Sequence, residues 1–140
     1  SNRGIVRLVY VALPLSMHRF AFPLARGAEC AAMRGRLREW MSEVYSHSDS
    51  LGLKSWESYA VGAGIPDPSS IAICAMNPAP IPRIETGIAS AATMGIQVTP
   101  TVLLNGWKYL HPPTRAELEK AVNALAHGEA PPGAKDSLAG

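Results

Sequence analysis

Gly95-Ile96-Gln97-Val98-Thr99-Pro100-Thr101-Val102-Leu103-Leu104-Asn105-Gly106 is the stretch of this chain that decides its fold. It predicts the end of a helix, a loop with a Thr-Pro pair, an apolar strand and a tight turn. A proline at the head of a strand has no N–H to donate to a ladder, and a cis peptide bond is one reason to find it there. Asn-Gly between two apolar runs is a strong signal for a hairpin with a type I′ turn.

The part of the chain before this stretch predicts one strand and then helices. Gly4 to Leu13 is rich in Val, Ile and Tyr and predicts a largely buried strand that stops at Pro14. A long helix is predicted from about Phe20, and Gly35 is a point where it can bend or weaken. The expected apolar stripe of this helix comprises Cys30, Met33, Leu37, Trp40, Met41, Val44 and Tyr45.

Start and stop signals mark the remaining helices. Lys54 to Ala63 predicts a short helix, and Asp67-Pro68 places a good N-cap residue before a proline at the first helical position. Pro82 is placed to open another helix, which ends at Gly95. The sequence from Thr114 to Glu117 is a capping box and predicts a last helix through about Ala126.

Composition excludes several classes of protein. The chain has 140 residues, 47% hydrophobic and 17% charged, which fits one ordinary globular domain. A net charge of +2 gives no argument for a nucleic-acid partner, and no apolar run is long enough to predict a membrane span. The sequence has no phosphate-binding glycine loop, no hydrolase motif and no metal-ligand spacing, so we expect no cofactor and no metal site.

Cys30 and Cys74 are the only cysteines, and no C-x-x-C occurs in the chain. Both cysteines fall on apolar stripes of predicted helices. They are either two buried thiols or a structural disulfide that joins two helices, and the sequence does not supply the separation that would decide.

The order of these elements resembles the DsbA-like branch of the thioredoxin superfamily. Val9 to Phe22 is similar to the strand and loop that follow the active-site helix in that branch, and Arg26 to Leu37 resembles the first helix of its helical insertion. The resemblance implies an α/β, thioredoxin-like fold with a helical insertion that lacks its first β–α unit. The implied domain covers residues 3–127, with the insertion at about 20–95, the proline loop, hairpin and last helix at 96–127, and a flexible tail at 128–140.

The resemblance also implies a function, namely thiol–disulfide exchange with cysteine-containing protein substrates and a redox partner protein. In this family an extended peptide would dock on the loop formed by Val98, Thr99 and Pro100. No catalytic residue is present in this chain, because the C-x-x-C of the family is missing from it. The implied location is periplasmic or otherwise extracytoplasmic, although the sequence carries no targeting signal.

Three further expectations accompany this one. Without the missing strand, the Gly4 and Thr101 strands would expose sheet edges through which two copies could form a homodimer. One alternative function is a redox-inactive thioredoxin-fold module that only binds peptides. The other is a glutathione-using relative of the kappa-type transferases and chromene-carboxylate isomerases.

Overall fold

The computed structural model describes residues 6–136, and the chain forms two compact units. The first, called here the helical unit, covers residues 11–90, and the second, the sheet unit, covers residues 1–10 and 91–140. Together the described residues form six α-helices and a three-stranded sheet, which confirms the predicted α/β class.

The helical unit holds α1 (Ala21–Met33), α2 (Leu37–Ser46), α3 (Trp56–Gly62) and α4 (Pro68–Met76), followed by the first part of α5 (Pro82–Thr93). A short 3-10 turn, Ser48–Ser50, follows α2. The long helix predicted from Phe20 is therefore two helices. The chain breaks at Gly35, whose φ of +67° lies in the left-handed region that glycine tolerates and that a continuing helix excludes.

A small aromatic and aliphatic core holds the helical unit together. Trp40, Val44, Tyr59 and Ile71 have the largest fully buried side chains. Trp56 lies beside Trp40 and Tyr59, with ring centroids 6.2 and 5.8 Å apart. Since α2, which carries Trp40, packs on both α1 and α3, these rings lie where the helices meet.

Two residues of the predicted stripe are not in this core. Met33 is 81% exposed and Tyr45 is 69% exposed. Because the chain changes direction at Gly35, a stripe extended through that point does not stay on one face. In α2 only Trp40 and Val44 are buried, so the buried face of this helix is narrower than predicted.

The sheet unit contains three antiparallel strands in the order β1-β2-β3: β1 (Leu103–Leu104), β2 (Trp107–Tyr109) and β3 (Ala134–Asp136). Asn105 and Gly106 connect β1 to β2 with φ values of +48° and +86°. Two positive φ values in succession are the signature of the predicted type I′ turn. The last helix, α6 (Arg115–Ala126), begins with the predicted capping box between Thr114 and Glu117.

The strand predicted at Gly4 to Leu13 is not found in the part of it that the structure describes. Gly4 and Ile5 lie outside the described residues, and residues 6–13 have no strand structure. Leu8 is 93% exposed, and Val6, Val9 and Val11 are also exposed. A strand is stabilised by pairing with a neighbour, and the described strands pair only with one another.

Part of the segment predicted as a tail forms a strand. Ala134–Asp136 forms β3 on the outer side of β2, and Pro131 is buried. The prediction rested on the lack of an apolar stripe, but a short edge strand needs main-chain partners more than it needs an apolar face.

Candidate functional site

The loop that the sequence singled out begins at a well-defined helix end. The N–H of Ile96 donates to the carbonyl of Ala91 at 2.8 Å, and the N–H of Gly95 donates to Ala92 at 3.2 Å. Gly95 has a φ of +66°, as a helix-ending glycine does. The backbone therefore leaves α5 in a defined direction and enters the segment Gln97–Pro100.

Two hydrogen bonds shape the loop that follows. The hydroxyl of Thr101 donates to the carbonyl of Val98 at 2.7 Å, and the N–H of Tyr109 donates to the carbonyl of Val102 at 3.0 Å. The first bond closes the loop around the Thr99–Pro100 peptide bond, which is cis. The second bond fixes the point where the loop joins the hairpin.

Between these two anchors the loop faces solvent. Val98 is 63% exposed, and Thr99 and Pro100 are exposed as well. Within residues 6–136, the main-chain N–H and C=O of Thr99 have no hydrogen-bond partner. Unpaired main-chain groups beside the end of a sheet are the chemistry that an extended peptide can use. The segment holds no cysteine and cannot carry out exchange itself.

The two cysteines lie in the helical unit and form a disulfide. Cys30 of α1 and Cys74 of α4 are bonded, with 6.5 Å between their Cα atoms. Arg26 strengthens the same helix pair, because its Nη1 donates to the carbonyl of Ala75 at 3.1 Å. The disulfide is half-buried and not in the centre of the core.

An open groove of about 440 Å³ runs past the disulfide. Its walls come from Met33 of α1 and from the proline-rich connection at residues 79–82. Glu29 is buried at the side of the groove and pairs with the exposed Arg83, with 3.3 Å between Oε2 and Nε. From the sequence, Pro82 predicts only the start of a helix, because a groove that forms between helices leaves no local sequence signal.

A polar cluster on α2 and α3 is occupied in holding the helical unit together. Glu43 accepts from Lys54 at 3.0 Å and lies 3.2 Å from Nδ1 of His47. The hydroxyl of Tyr59 donates to the carbonyl of His47 at 2.8 Å. Burial raises the pKa of Tyr59, and the nearby Lys54 ammonium partly opposes that rise. These groups satisfy one another and leave no reactive side chain.

No group of three or more His, Cys, Asp or Glu side chains in residues 6–136 is arranged to hold a metal ion. Over the same residues, every helix is too short or too polar to cross a membrane.

Comparison with known proteins identifies the family. A family model described as thioredoxin matches residues 2–124. The chain belongs to this thioredoxin family, which confirms the family predicted from its sequence pattern.

The curated relatives that the chain matches are much longer proteins. It is 31% identical over 108 residues to a protein named Na(+)/H(+) antiporter NhaA 1 of Mycolicibacterium gilvum, covering 76% of this chain and 18% of that protein. It is 30% identical over 108 residues to the protein of the same name in Mycolicibacterium vanbaalenii, again covering 76% and 18%. A third relative, Na(+)/H(+) antiporter NhaA of Herminiimonas arsenicoxydans, is 32% identical over 99 residues, covering 71% and 16%. The chain thus spans less than a fifth of the length of these relatives. No solved structure matches it.

Proposed function

We propose that this chain is the peptide-docking part of a DsbA-like thiol–disulfide oxidoreductase that acts on cysteine-containing proteins in an extracytoplasmic space. One observation carries the proposal: a thioredoxin-family chain presents an exposed Val98-Thr99-Pro100 segment shortly before β1, and the main-chain groups of Thr99 in it are unpaired. The class of activity comes from the family, and the surface on which it would act comes from this loop.

The geometry of the loop suits main-chain recognition. The N–H and C=O of Thr99 would bond to the backbone of an extended substrate, as in strand addition. The Thr101 hydroxyl already occupies the carbonyl of Val98 at 2.7 Å, which leaves Thr99 as the free position. Recognition through main-chain groups depends little on substrate sequence, and this suits an enzyme that acts on many proteins.

The exchange chemistry requires a thiolate that the loop does not supply. A thiolate attacks a disulfide sulfur, a mixed disulfide forms, and a second thiolate resolves it. Cys30 and Cys74 are bonded to each other and lie in the last turns of α1 and α4. The negative end of a helix dipole disfavours a thiolate. The proposal therefore assigns the exchange thiols to a C-x-x-C pair outside these 140 residues.

The antiporter relatives support a second, finer proposal about where this domain works. All three relatives bear the name of a Na(+)/H(+) antiporter, and this chain corresponds to a small part of each. We infer that the domain works next to such a transporter, as part of the same polypeptide or bound to it. Its substrates would then be cysteine pairs on the extracytoplasmic face of that membrane protein.

The docking surface is tested by placing the same charge at two exposed positions of the loop. Thr99→Arg puts a bulky cation at the proposed contact, and Gln97→Arg puts it two residues away, where we propose no contact. Both positions are exposed, so neither change should lower stability.

The readout is fluorescence anisotropy with a labelled, unfolded polypeptide whose cysteines are alkylated. We expect Thr99→Arg to weaken binding about tenfold or more and Gln97→Arg to change it less than about twofold. Equal effects of the two variants would contradict the proposed surface.

The alternative functions predict different results. A redox-inactive binding module would bind the same polypeptide, but the native protein would not oxidise a dithiol. A glutathione-using enzyme would bind glutathione in a calorimetric titration, and that binding would weaken in Thr99→Arg. The proposed oxidoreductase requires dithiol oxidation by the native protein and needs no glutathione.

A further inference from the structure

The chain turns back on itself after α6. The N–H of Glu129 donates to the carbonyl of Ala124 at 2.9 Å, and Gly128, with a φ of +75°, reverses the direction of the backbone. A second glycine in the left-handed region, Gly133, has a φ of +78° and comes directly before the final strand. These two glycines bring residues 134–136 alongside β2.

Tyr109 holds the returning segment in place. Its hydroxyl donates to the carbonyl of Pro132 at 3.3 Å, and a Cβ placed on Gly133 would lie 4.0 Å from its ring. Tyr109 is buried, and this burial raises the pKa of its phenol, to which the charge of Glu117 adds. Pro132 and Gly133 thus lie against a side chain of β2, the strand with which β3 pairs.

The hydrogen bonds of β2 show which edge β3 occupies. The N–H of Tyr109 donates to Val102 on the β1 side. Since neighbouring residues of a strand direct their main-chain groups to opposite sides, those of Lys108 face β3, where Lys135 is its register partner. Without β3, the outer edge of β2 would be an unpaired strand edge next to the half-buried Trp107.

We propose that the outer edge of β2 is a strand-docking site. Residues 131–136 of the same chain fill this site in the monomer, and the same segment of a second copy fills it in an exchanged dimer. The identical segment of another copy has the register and the tyrosine contact that the site already accepts. Such an exchange uses the contacts already present and needs only a hinge that can open.

The connection before β3, called here the hinge, and the short length of β3 both suit such an exchange. Gly128, Glu129 and Ala130 connect the end of α6 to the docked segment, and all three are exposed. A three-residue strand makes few contacts, so it can open without unfolding the rest of the unit. A short linker gives the chain's own segment an effective concentration of about 1 mM at the edge of β2. At a protein concentration of about 10 µM, docking of the chain's own segment is therefore favoured over docking of another copy's segment by roughly a hundredfold. This inference does not depend on the proposed exchange function.

Shortening the hinge tests the proposal in the full chain. A variant lacking Glu129 and Ala130 loses up to about 7 Å of reach, so its own segment no longer spans to β2. We expect it to be a dimer at about 10 µM, where the unaltered chain is a monomer, as measured by light scattering coupled to gel filtration. The length-matched control Glu129→Gly with Ala130→Ser should remain a monomer.

A proline in β3 shows whether the dimer uses this edge. Lys135→Pro removes the N–H that faces Lys108, whereas Lys135→Ala keeps it. Added to the shortened variant, Lys135→Pro should return the dimer to a monomer and Lys135→Ala should not. A shortened variant that stays monomeric, or a dimer that survives Lys135→Pro, would overturn the proposal.

Hydrogen exchange gives a second test that needs no deletion. In the otherwise unaltered chain, Lys135→Pro should remove protection from the amide of Lys108 and leave that of Tyr109, which donates toward β1. Lys135→Ala should keep both protected. Unchanged protection at Lys108 in the proline variant would show that β3 does not occupy this edge.

Discussion

Removing the Cys30–Cys74 disulfide should destabilise the helical unit by a large and calculable amount. The bond closes a loop with a sequence separation of 44 residues. In the chain-entropy model, a loop of that length lowers the entropy of the unfolded chain by about 13 cal/mol/K, or about 4 kcal/mol at 25 °C. We therefore expect the double variant Cys30→Ala with Cys74→Ala to lose about 4 kcal/mol of unfolding free energy.

Urea unfolding followed by tryptophan fluorescence measures this loss in the unit concerned. Trp40 and Trp56 belong to the helical unit and Trp107 to the sheet unit, so Trp107→Phe in every sample confines the signal to the helical unit. At a slope of about 2 kcal/mol/M, the midpoint should fall by about 2 M. The single variant Cys74→Ala separates loss of the bond from loss of both sulfur atoms, and it should account for most of the change.

A midpoint within about 0.5 M of that of the parent protein, equivalent to about 1 kcal/mol at this slope, would contradict this role of the bond. For that comparison the bond must be present in the parent, which a mass spectrum shows as the loss of two hydrogens. An equal midpoint with the bond intact would mean that the unfolded chain is already restricted in the region of residues 30–74.

Three further substitutions test the packing and the capping. Gly27→Ala should lower stability by about 1–3 kcal/mol in urea unfolding, because the new Cβ would overlap the Trp40 ring. The free-energy cost of that overlap exceeds the helix propensity gained with alanine, and a neutral or stabilising result would contradict the packing. Gly87→Ala should also destabilise, since its Cβ would meet the carbonyl of Ala12, and thermal unfolding would show this as a lower midpoint. Glu117→Gln should destabilise at neutral pH, because hydrogen bonds from Thr114 lower the pKa of the Glu117 carboxyl below its ordinary value of 4.5. A group whose pKa is lowered in the folded state adds stability above its unfolded pKa and loses that contribution as the pH falls through its folded pKa. The difference in stability between Glu117→Gln and the parent should therefore disappear in acid. A difference in stability that does not depend on pH would contradict the role of the ionised carboxylate.

Local sequence signals were reliable where local chemistry decides the structure. Asn105-Gly106 predicted the hairpin correctly, because only residues that tolerate positive φ form that turn. The capping box from Thr114 to Glu117 predicted the start of α6 correctly, because its hydrogen bonds lie within one helical turn. Gly95 marked a helix end for the same reason, whereas Gly35 was predicted only to bend or weaken one long helix and in fact separates two. The exposed Val98–Pro100 loop follows from these signals, since it lies between a helix end and a hairpin.

The sequence was less reliable where a structure depends on partners distant along the chain. Residues 6–13 have the composition of a strand, but no described strand pairs with them. β3 has no apolar pattern and forms because the edge of β2 offers it main-chain partners. The distance between Cys30 and Cys74 depends on how α1 packs on α4, which no spacing in the sequence reports.

The most direct test of the proposed function is to isolate the native polypeptide that carries this sequence and determine its intact mass and its cysteine pairs after alkylation of free thiols. The proposed function requires a polypeptide larger than the 14.9 kDa of these 140 residues, with a C-x-x-C pair that oxidises a dithiol peptide through a trappable mixed disulfide. A native polypeptide whose only cysteines are Cys30 and Cys74, or one whose C-x-x-C does not exchange with a dithiol, would contradict it and leave a peptide-binding module.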